Sequence, residues 1–355
     1  MIIKTIAFPR AALIGNPSDG YHGKTIAFVF RNYQAEAELY ETPELELWPS
    51  KRDHNIFSCM DALSADVQQY GYYASFPLII NINNTPTYFM TLKDNEGLIK
   101  KFNEFCHAEG IRLEKKNFTI RYSSTIPNRL GLAGSSAIIT AAMRAMMEFY
   151  HVKLAPAVLA NVVLSTERDE LGIPAGLQDR VAQAYNTPVF MDFDREYMRE
   201  HGIGRYEPIE IPAGLNLYVA YRTDLAEGSE VLHSRLREDY ESGVPQVVAA
   251  MEEWAQLTCR VKTAFERRDF NAVPELLNRN FDLRCEVCPN AVSFKNRQMV
   301  ELARSVGASA KFTGSGGAII GTYENEKMYC ELVRVLKTEG INVIKPEIVG
   351  TGCAR

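Results

Sequence analysis

Pro127-Asn-Arg-Leu-Gly-Leu-Ala-Gly-Ser-Ser-Ala137 is the stretch on which the reading of this chain turns. Gly131, Leu132, Ala133, Gly134, Ser135 and Ser136 form a run of small residues, and the apolar AIITAAMRAMMEFY that follows has the length and composition of a helix. Small residues let backbone N–H groups approach an anion closely, and a helix opening near Ser135 adds its positive dipole end. The Ser135 and Ser136 hydroxyls can touch a phosphate or a magnesium ion. Equally, serine is a favoured N-cap residue, and capping is the alternative use of the same loop. The Gly-Lys-Ser/Thr ending of a Walker A loop is absent, as is the G-x-G-x-x-G of dinucleotide binders.

Two more stretches stand on either side of it. Near the start, Pro9-Arg10-Ala-Ala-Leu-Ile-Gly15-Asn16-Pro17-Ser18-Asp19-Gly20 sets a cation and a carboxylate around a tight turn after a strand. A surface turn is its alternative reading. Near the end, Lys311-Phe-Thr-Gly314-Ser315-Gly316-Gly317-Ala suits a sharp bend or a close backbone approach, and again a structural turn would serve. A spacing completes the set: Glu167 precedes Asp179 by twelve positions, across Gly172-Ile-Pro174-Ala-Gly176-Leu-Gln.

With 355 residues the chain has room for two domains. Hydrophobic residues at 46% and charged residues at 23% exclude a long disordered protein. A net charge of −5 argues against a general nucleic-acid binder while leaving room for a local basic pocket. No apolar run approaches the roughly 18 residues of a membrane span. The start, MIIKTIAFPR, lacks the features of a signal peptide, so a cytoplasmic location is expected. The seven cysteines are scattered, and the lone pair Cys285 and Cys288 has no second pair to complete a zinc site, which favours structural roles.

Alternating, aromatic-rich segments in the first third read as strands, with IIKTIAFPRAALIG broken at Pro9. Helices are expected over 93–108, over 155–171, after IPAGLQDR, through much of 228–305 and near 325–338. Strands are expected at 117–124, in TPVFMDF and LNLYVAYR, after the 314–317 loop and in INVIKPEIV. The charged, glycine- and proline-broken stretch 190–210 suggests a domain boundary. Both halves mix strands and helices without regular alternation, which predicts an α+β fold.

Together the three motifs resemble those of the GHMP kinases, the superfamily of galactokinase, homoserine kinase, mevalonate kinase and phosphomevalonate kinase, in the family's order and positions. Within it, Arg10-Ala-Ala-Leu-Ile-Gly-Asn-Pro-Ser-Asp-Gly-Tyr-His-Gly-Lys-Thr25 and Asn280-Phe-Asp-Leu-Arg284 look most like the glucuronokinase branch. Galactokinases carry Gly-Glu-His-Thr-Asp-Tyr at the first of these, where this chain has Asn16 and Pro17.

The resemblance implies the two-domain GHMP kinase fold. A ribosomal protein S5 domain 2-like, ATP-binding N-terminal domain is expected over 1–200, and a ferredoxin-like α+β C-terminal domain over 201–355. It implies ATP on Pro127, Gly131, Leu132, Ala133, Gly134, Ser135, Ser136 and Ala137, with Mg2+ on Ser136 and Glu167. Asp179 would be the base that accepts the sugar hydroxyl proton, with Arg10 beside it. Asp19 would bind sugar hydroxyls, and Gly314, Ser315, Gly316 and Gly317 would close over the transfer site. His22 is a candidate for the substrate pocket. Arg129, Arg222 and Arg284 are candidates to pair a substrate carboxylate.

The implied activity is an ATP- and magnesium-dependent sugar 1-kinase making glucuronate 1-phosphate. A heptose, galactose or galacturonate kinase and a non-catalytic sugar sensor are the rivals. The implied partner is a small-molecule sugar acid, with no nucleic acid and no membrane, bound by a monomer or homodimer.

Overall fold

The computed structural model describes residues 1–48, 55–57, 79–82, 85–88, 92–127, 130–173, 175–223 and 230–350. The chain begins with strands β1 (Ile2–Ala7), β2 (Arg10–Ile14), β3 (Lys24–Val29), β4 (Ala35–Thr42), β5 (Leu45–Trp48), β6 (Asn55–Phe57), β7 (Ile79–Ile82) and β8 (Thr85–Tyr88). Helix α1 (Leu92–Ala108), strand β9 (Asn117–Ser124) and helices α2 (Gly134–Phe149), α3 (Pro156–Ser165) and α4 (Leu177–Tyr185) follow. Next come β10 (Val189–Asp192), α5 (Arg195–His201), β11 (Arg205–Pro208) and β12 (Leu217–Tyr221). Helices α6 (Glu230–Glu241), α7 (Pro245–Arg267), α8 (Val273–Val287) and α9 (Phe294–Ser305) fill the helical stretch. The chain closes with β13 (Lys311–Phe312), β14 (Ala318–Thr322), α10 (Glu326–Lys337) and β15 (Asn342–Ile344).

These elements form two compact units that interleave along the chain. The first holds Met1–Phe8, Tyr33–Asn128 and Gly134–Ala175; the second holds Pro9–Asn32, Arg129–Ala133 and Gly176–Arg355. Pro9, which lacks a ladder donor, stands where the chain first leaves one unit for the other.

In the first unit a sheet runs in the order β1-β4-β9-β5-β6. Strand β4 shows the period of two that such a sheet requires: Ala35, Ala37 and Leu39 are buried, and Glu36, Glu38 and Tyr40 are less so. Register sets Leu39 opposite Ile120, both fully buried. Helix α2 packs on β1 and β4, and is buried from Ser136 to Phe149 along most of its length. Phe118 and Phe149 meet edge to face at 5.5 Å.

The second unit carries two four-stranded sheets, β11-β10-β3-β2 and β13-β14-β12-β15. Its core includes Tyr218, Phe281, Met299, Phe312, Ile319 and Leu332. The stretch 190–210 holds β10, α5 and β11, and β10 pairs with both β11 and β3. Residue 200, the expected border between domains, therefore lies within the second unit.

Two expectations about single elements change. The helix expected over 155–171 ends at Ser165 and continues as a π-helical turn, Thr166–Glu170. The strand in INVIKPEIV stops at Ile344, two residues before Pro346, whose ring removes the N–H a ladder needs.

Candidate functional site

Parts of all three sequence motifs meet inside the second unit, where Arg10 joins residues 131–132 of the first loop to Thr313 of the last. The Arg10 backbone N–H donates to the Leu132 carbonyl at 3.0 Å. Its guanidinium donates to the carbonyls of Gly131, at 3.3 Å, and of Thr313. The Thr313 hydroxyl also donates to Gly131 O, at 3.1 Å. The two glycine loops touch so closely that a Cβ on Gly314 would lie 2.7 Å from the Gly131 carbonyl oxygen. Gly131 has φ +64° and Ala133, without the excuse of glycine, φ +60°, a region sparsely used by side-chain-bearing residues.

Arg10 is buried and its Nη2 pairs with Asp179 Oδ1. Arg180 adds a second cation, its Nη1 3.3 Å from Asp179 Oδ2 and 2.9 Å from the Gly176 carbonyl. Asp179 sits in the first turn of α4, where the helix dipole favours negative charge. Burial alone would raise its carboxyl, but Arg10 and Arg180 outweigh that and hold it below the usual carboxylate range. Asp19, on the short 3-10 turn Ser18–Tyr21, goes the other way: burial, then the Asp179 charge, push it up to about 7. Two carboxyls with opposite shifts side by side are a pattern of acid–base sites.

A buried polar network fixes the turn that carries Asp19. Lys311 is 1% exposed, and its amine donates to the Ala12 carbonyl at 2.7 Å and to Asn16 Oδ1. Burial holds that amine well below the usual lysine range. Asn280 on α8 accepts from Gly15 N at 2.7 Å and donates to Asn16 O at 3.0 Å. One helical turn further along α8, the Arg284 Nη1 donates to the Gly314 carbonyl at 2.8 Å. Arg222, also buried, donates its backbone N–H to Gly317 O at 3.2 Å and its guanidinium to Gln298. Gly317 N in turn donates to Asn296 Oδ1 at 2.8 Å.

The first unit contributes a separate pair. The Ser135 hydroxyl donates to Glu167 Oε1 at 2.7 Å, and both Ser136 and Glu167 are fully buried. Glu167 lies in the π-helical turn, a local widening that recurs at functional sites. Pro127 is half-buried and Ala137 fully so. Among the described residues no cluster of three or more His, Cys, Asp or Glu could hold a metal, and Cys285 and Cys288 are free thiols.

The structure thus gathers Arg10, Asp19, Asp179, Gly131, Arg284 and the 314–317 loop in one unit, and Ser135, Ser136 and Glu167 in the other. His22 ends the 3-10 turn in a left-handed backbone conformation and is exposed. Arg129 lies outside the described residues. Sequence reading missed Arg180, the Lys311–Asn16–Asn280 network and the Ser135 contact to Glu167. The carboxylate before Arg180 was the one available signal; nothing local marks Lys311 as buried. No described helix is long and apolar enough to cross a membrane.

Comparison with known proteins gives the family. Residues 97–187 match the GHMP kinases N terminal domain and residues 261–334 the GHMP kinases C terminal region. The chain is 38% identical to "Probable glucuronokinase 2" of Arabidopsis thaliana over 319 residues, covering 88% of this chain and 82% of that protein. It is 36% identical to "Glucuronokinase 1" of the same plant over 318 residues, covering 88% and 83%. The fold matches that of Lactococcus lactis galactokinase complexed with galactose with a TM-score of 0.72 at 15% identity, covering 100% of this chain and 95% of that one. On that identity and coverage, with three family motifs knotted around one arginine, the chain belongs to the GHMP kinases.

Proposed function

We propose that the chain transfers the terminal phosphoryl group of ATP to the anomeric hydroxyl of glucuronate, a sugar 1-kinase. ATP use and a small-molecule acceptor follow from the family; the sugar is the finer step. It is supported by the names of the two plant relatives and by Asn16-Pro17 replacing the Glu-His of galactokinases. The observation that carries the chemistry is Asp179 held ionised between Arg10 and Arg180.

Asp179 accepts the proton of the attacking hydroxyl. Arg10 keeps that carboxylate charged and offsets negative charge developing on the transferred group. Asp19 takes hydrogen bonds with ring hydroxyls. ATP phosphates rest on Gly131–Ser136, with Pro127 and Ala137 flanking. Ser136 and Glu167 are oxygen donors suited to Mg2+, which when bound neutralises phosphate charge. Two protein oxygens suffice for an ion that keeps waters and takes the rest from phosphates. The family matches over 97–187 and 261–334 fall on either side of a division at residue 200, which we retain as the N- and C-terminal domain assignment.

ADP release measured across glucuronate, galacturonate, glucose, galactose and a heptose tests the reading. Glucuronate should give the highest kcat/KM, and Asp179→Asn should lower kcat on it by roughly 10²-fold or more. Equal use of galactose rejects the uronate, and a near-normal Asp179→Asn rejects the base.

A further inference from the structure

The reading of the substrate as a uronate leaves its carboxylate without a partner, and the second unit holds an arginine without an anion. Arg284 is 3% exposed, yet among the described residues it forms no ion pair. Burying a cation unpaired is costly, and a site that keeps one is built for an anion arriving from outside.

The guanidinium is used unevenly. Nη1 is committed to the Gly314 carbonyl at 2.8 Å, which anchors the side chain to the third motif. On the other edge, Nη2 reaches Ser315 O only at 3.4 Å, and Nε has no hydrogen-bond partner among the described residues. Nε and Nη2 are the two parallel donors with which arginine grips a carboxylate side-on. The guanidinium carbon lies over the Phe312 ring, 5.1 Å from its centroid, a cation–π contact.

Placement is the second observation. Asn280, one turn before Arg284 on the same face of α8, holds the Gly15–Asn16 turn by two hydrogen bonds. Arg284 therefore faces the 3-10 turn that carries Asp19 and Tyr21, and it lies in electrostatic reach of both. Tyr21 is 5% exposed, its ring held edge to face on Tyr240 at 5.1 Å, and among the described residues its hydroxyl is a second buried donor without a partner.

We infer that Arg284, through Nε and Nη2, and the Tyr21 hydroxyl form the subsite for the substrate's C6 carboxylate, beside the ring-hydroxyl contact at Asp19. Entry of the carboxylate displaces the weak Ser315 contact and leaves the Gly314 anchor in place.

The inference rests on the uronate reading, and the test separates the two. The ratio of kcat/KM for glucuronate to that for glucuronamide, a neutral isostere, is measured in wild type, Tyr21→Phe and Arg284→Lys. Wild type should favour the acid by on the order of 10²-fold. Tyr21→Phe, which removes one oxygen and no packing, should cut that ratio roughly tenfold. Arg284→Lys, which keeps the charge and loses the fork, should cut it by about 10-fold or more. A wild-type ratio near one overturns the uronate reading and the subsite with it. A high wild-type ratio unchanged in Tyr21→Phe overturns the subsite alone, and does so even if Arg284→Lys fails to fold.

Discussion

Gly176 is the position at which a single methyl group should separate binding of the sugar from everything else. It precedes α4, with φ −105° and ψ 169°, a backbone conformation open to any residue. A Cβ built there would lie 2.6 Å from Asp19 Oδ2 and 3.6 Å from its Cγ. Ordinary contact begins near 3.4 Å, so the Asp19 carboxylate has to retreat by about 0.8 Å. Gly176→Ala restricts the unfolded chain, a gain of about 0.4–1 kcal/mol that the crowding offsets. We therefore expect stability within about 1 kcal/mol of wild type. A misplacement on this scale at a substrate-orienting group costs on the order of 10²-fold in rate. Steady-state kinetics with varied sugar and varied ATP provide the assay. The sugar kcat/KM should fall between roughly 10- and 100-fold while KM for ATP stays put. Unchanged sugar kinetics, or an equal loss for ATP, would refute the placing of Asp19 at the sugar.

Asp19→Asn should trade activity for stability in a pH-dependent way. Its folded carboxyl titrates near 7, so the stability it contributes is present below the usual carboxylate range and is lost as pH rises through 7. The variant should gain roughly 2 kcal/mol more over wild type at pH 8 than at pH 5, read by urea unfolding; a gain that shrinks toward pH 8 contradicts the burial argument. Glu167→Gln and Ser136→Ala should each raise half-saturating magnesium about tenfold or more, and superimposable titrations would remove the pair from the metal. Lys311→Met leaves Ala12 O and Asn16 Oδ1 without their donor and should destabilise by about 2–4 kcal/mol; a variant as stable as wild type would show that the network does not hold the turn.

The motifs were readable because each is local. A run of small residues before an apolar helix, or three glycines within four positions, declares itself without reference to the rest of the chain. Element order was readable for the same reason, as in β4, where alternation of Ala and Leu with Glu marks a half-buried strand. What joins the motifs was not. Arg10 meets Asp179 across 169 residues and Lys311 meets Asn16 across 295, and such pairings leave no periodicity behind. Lys311 illustrates the difficulty: a lysine reads as surface, and only a carbonyl and an asparagine from a distant turn make its burial tolerable. The π-helical turn was hidden too, because the extra residue per turn at Thr166–Glu170 changes hydrogen bonding without disturbing the apolar pattern of α3.

The interleaving of the units bears on how a ribosome makes this protein. Residues 9–32 belong to the second unit, but β2 finds its Thr313 partner only when about the last eighth of the chain emerges. At roughly 5–20 residues per second, synthesis of the intervening 295 residues between Asn16 and Lys311 takes about 15–60 s. Through that interval the apolar strands β2 and β3 lack some of their neighbours, and β10 reaches them well before β13 does. A gene cut at residue 200 would yield a first fragment bearing β2, β3 and β10 without β12–β15, and a second without the turn that Lys311 and Asn280 grip. Neither half carries a complete second unit, so activity from such a pair requires that both be made together and refold around Arg10 as one.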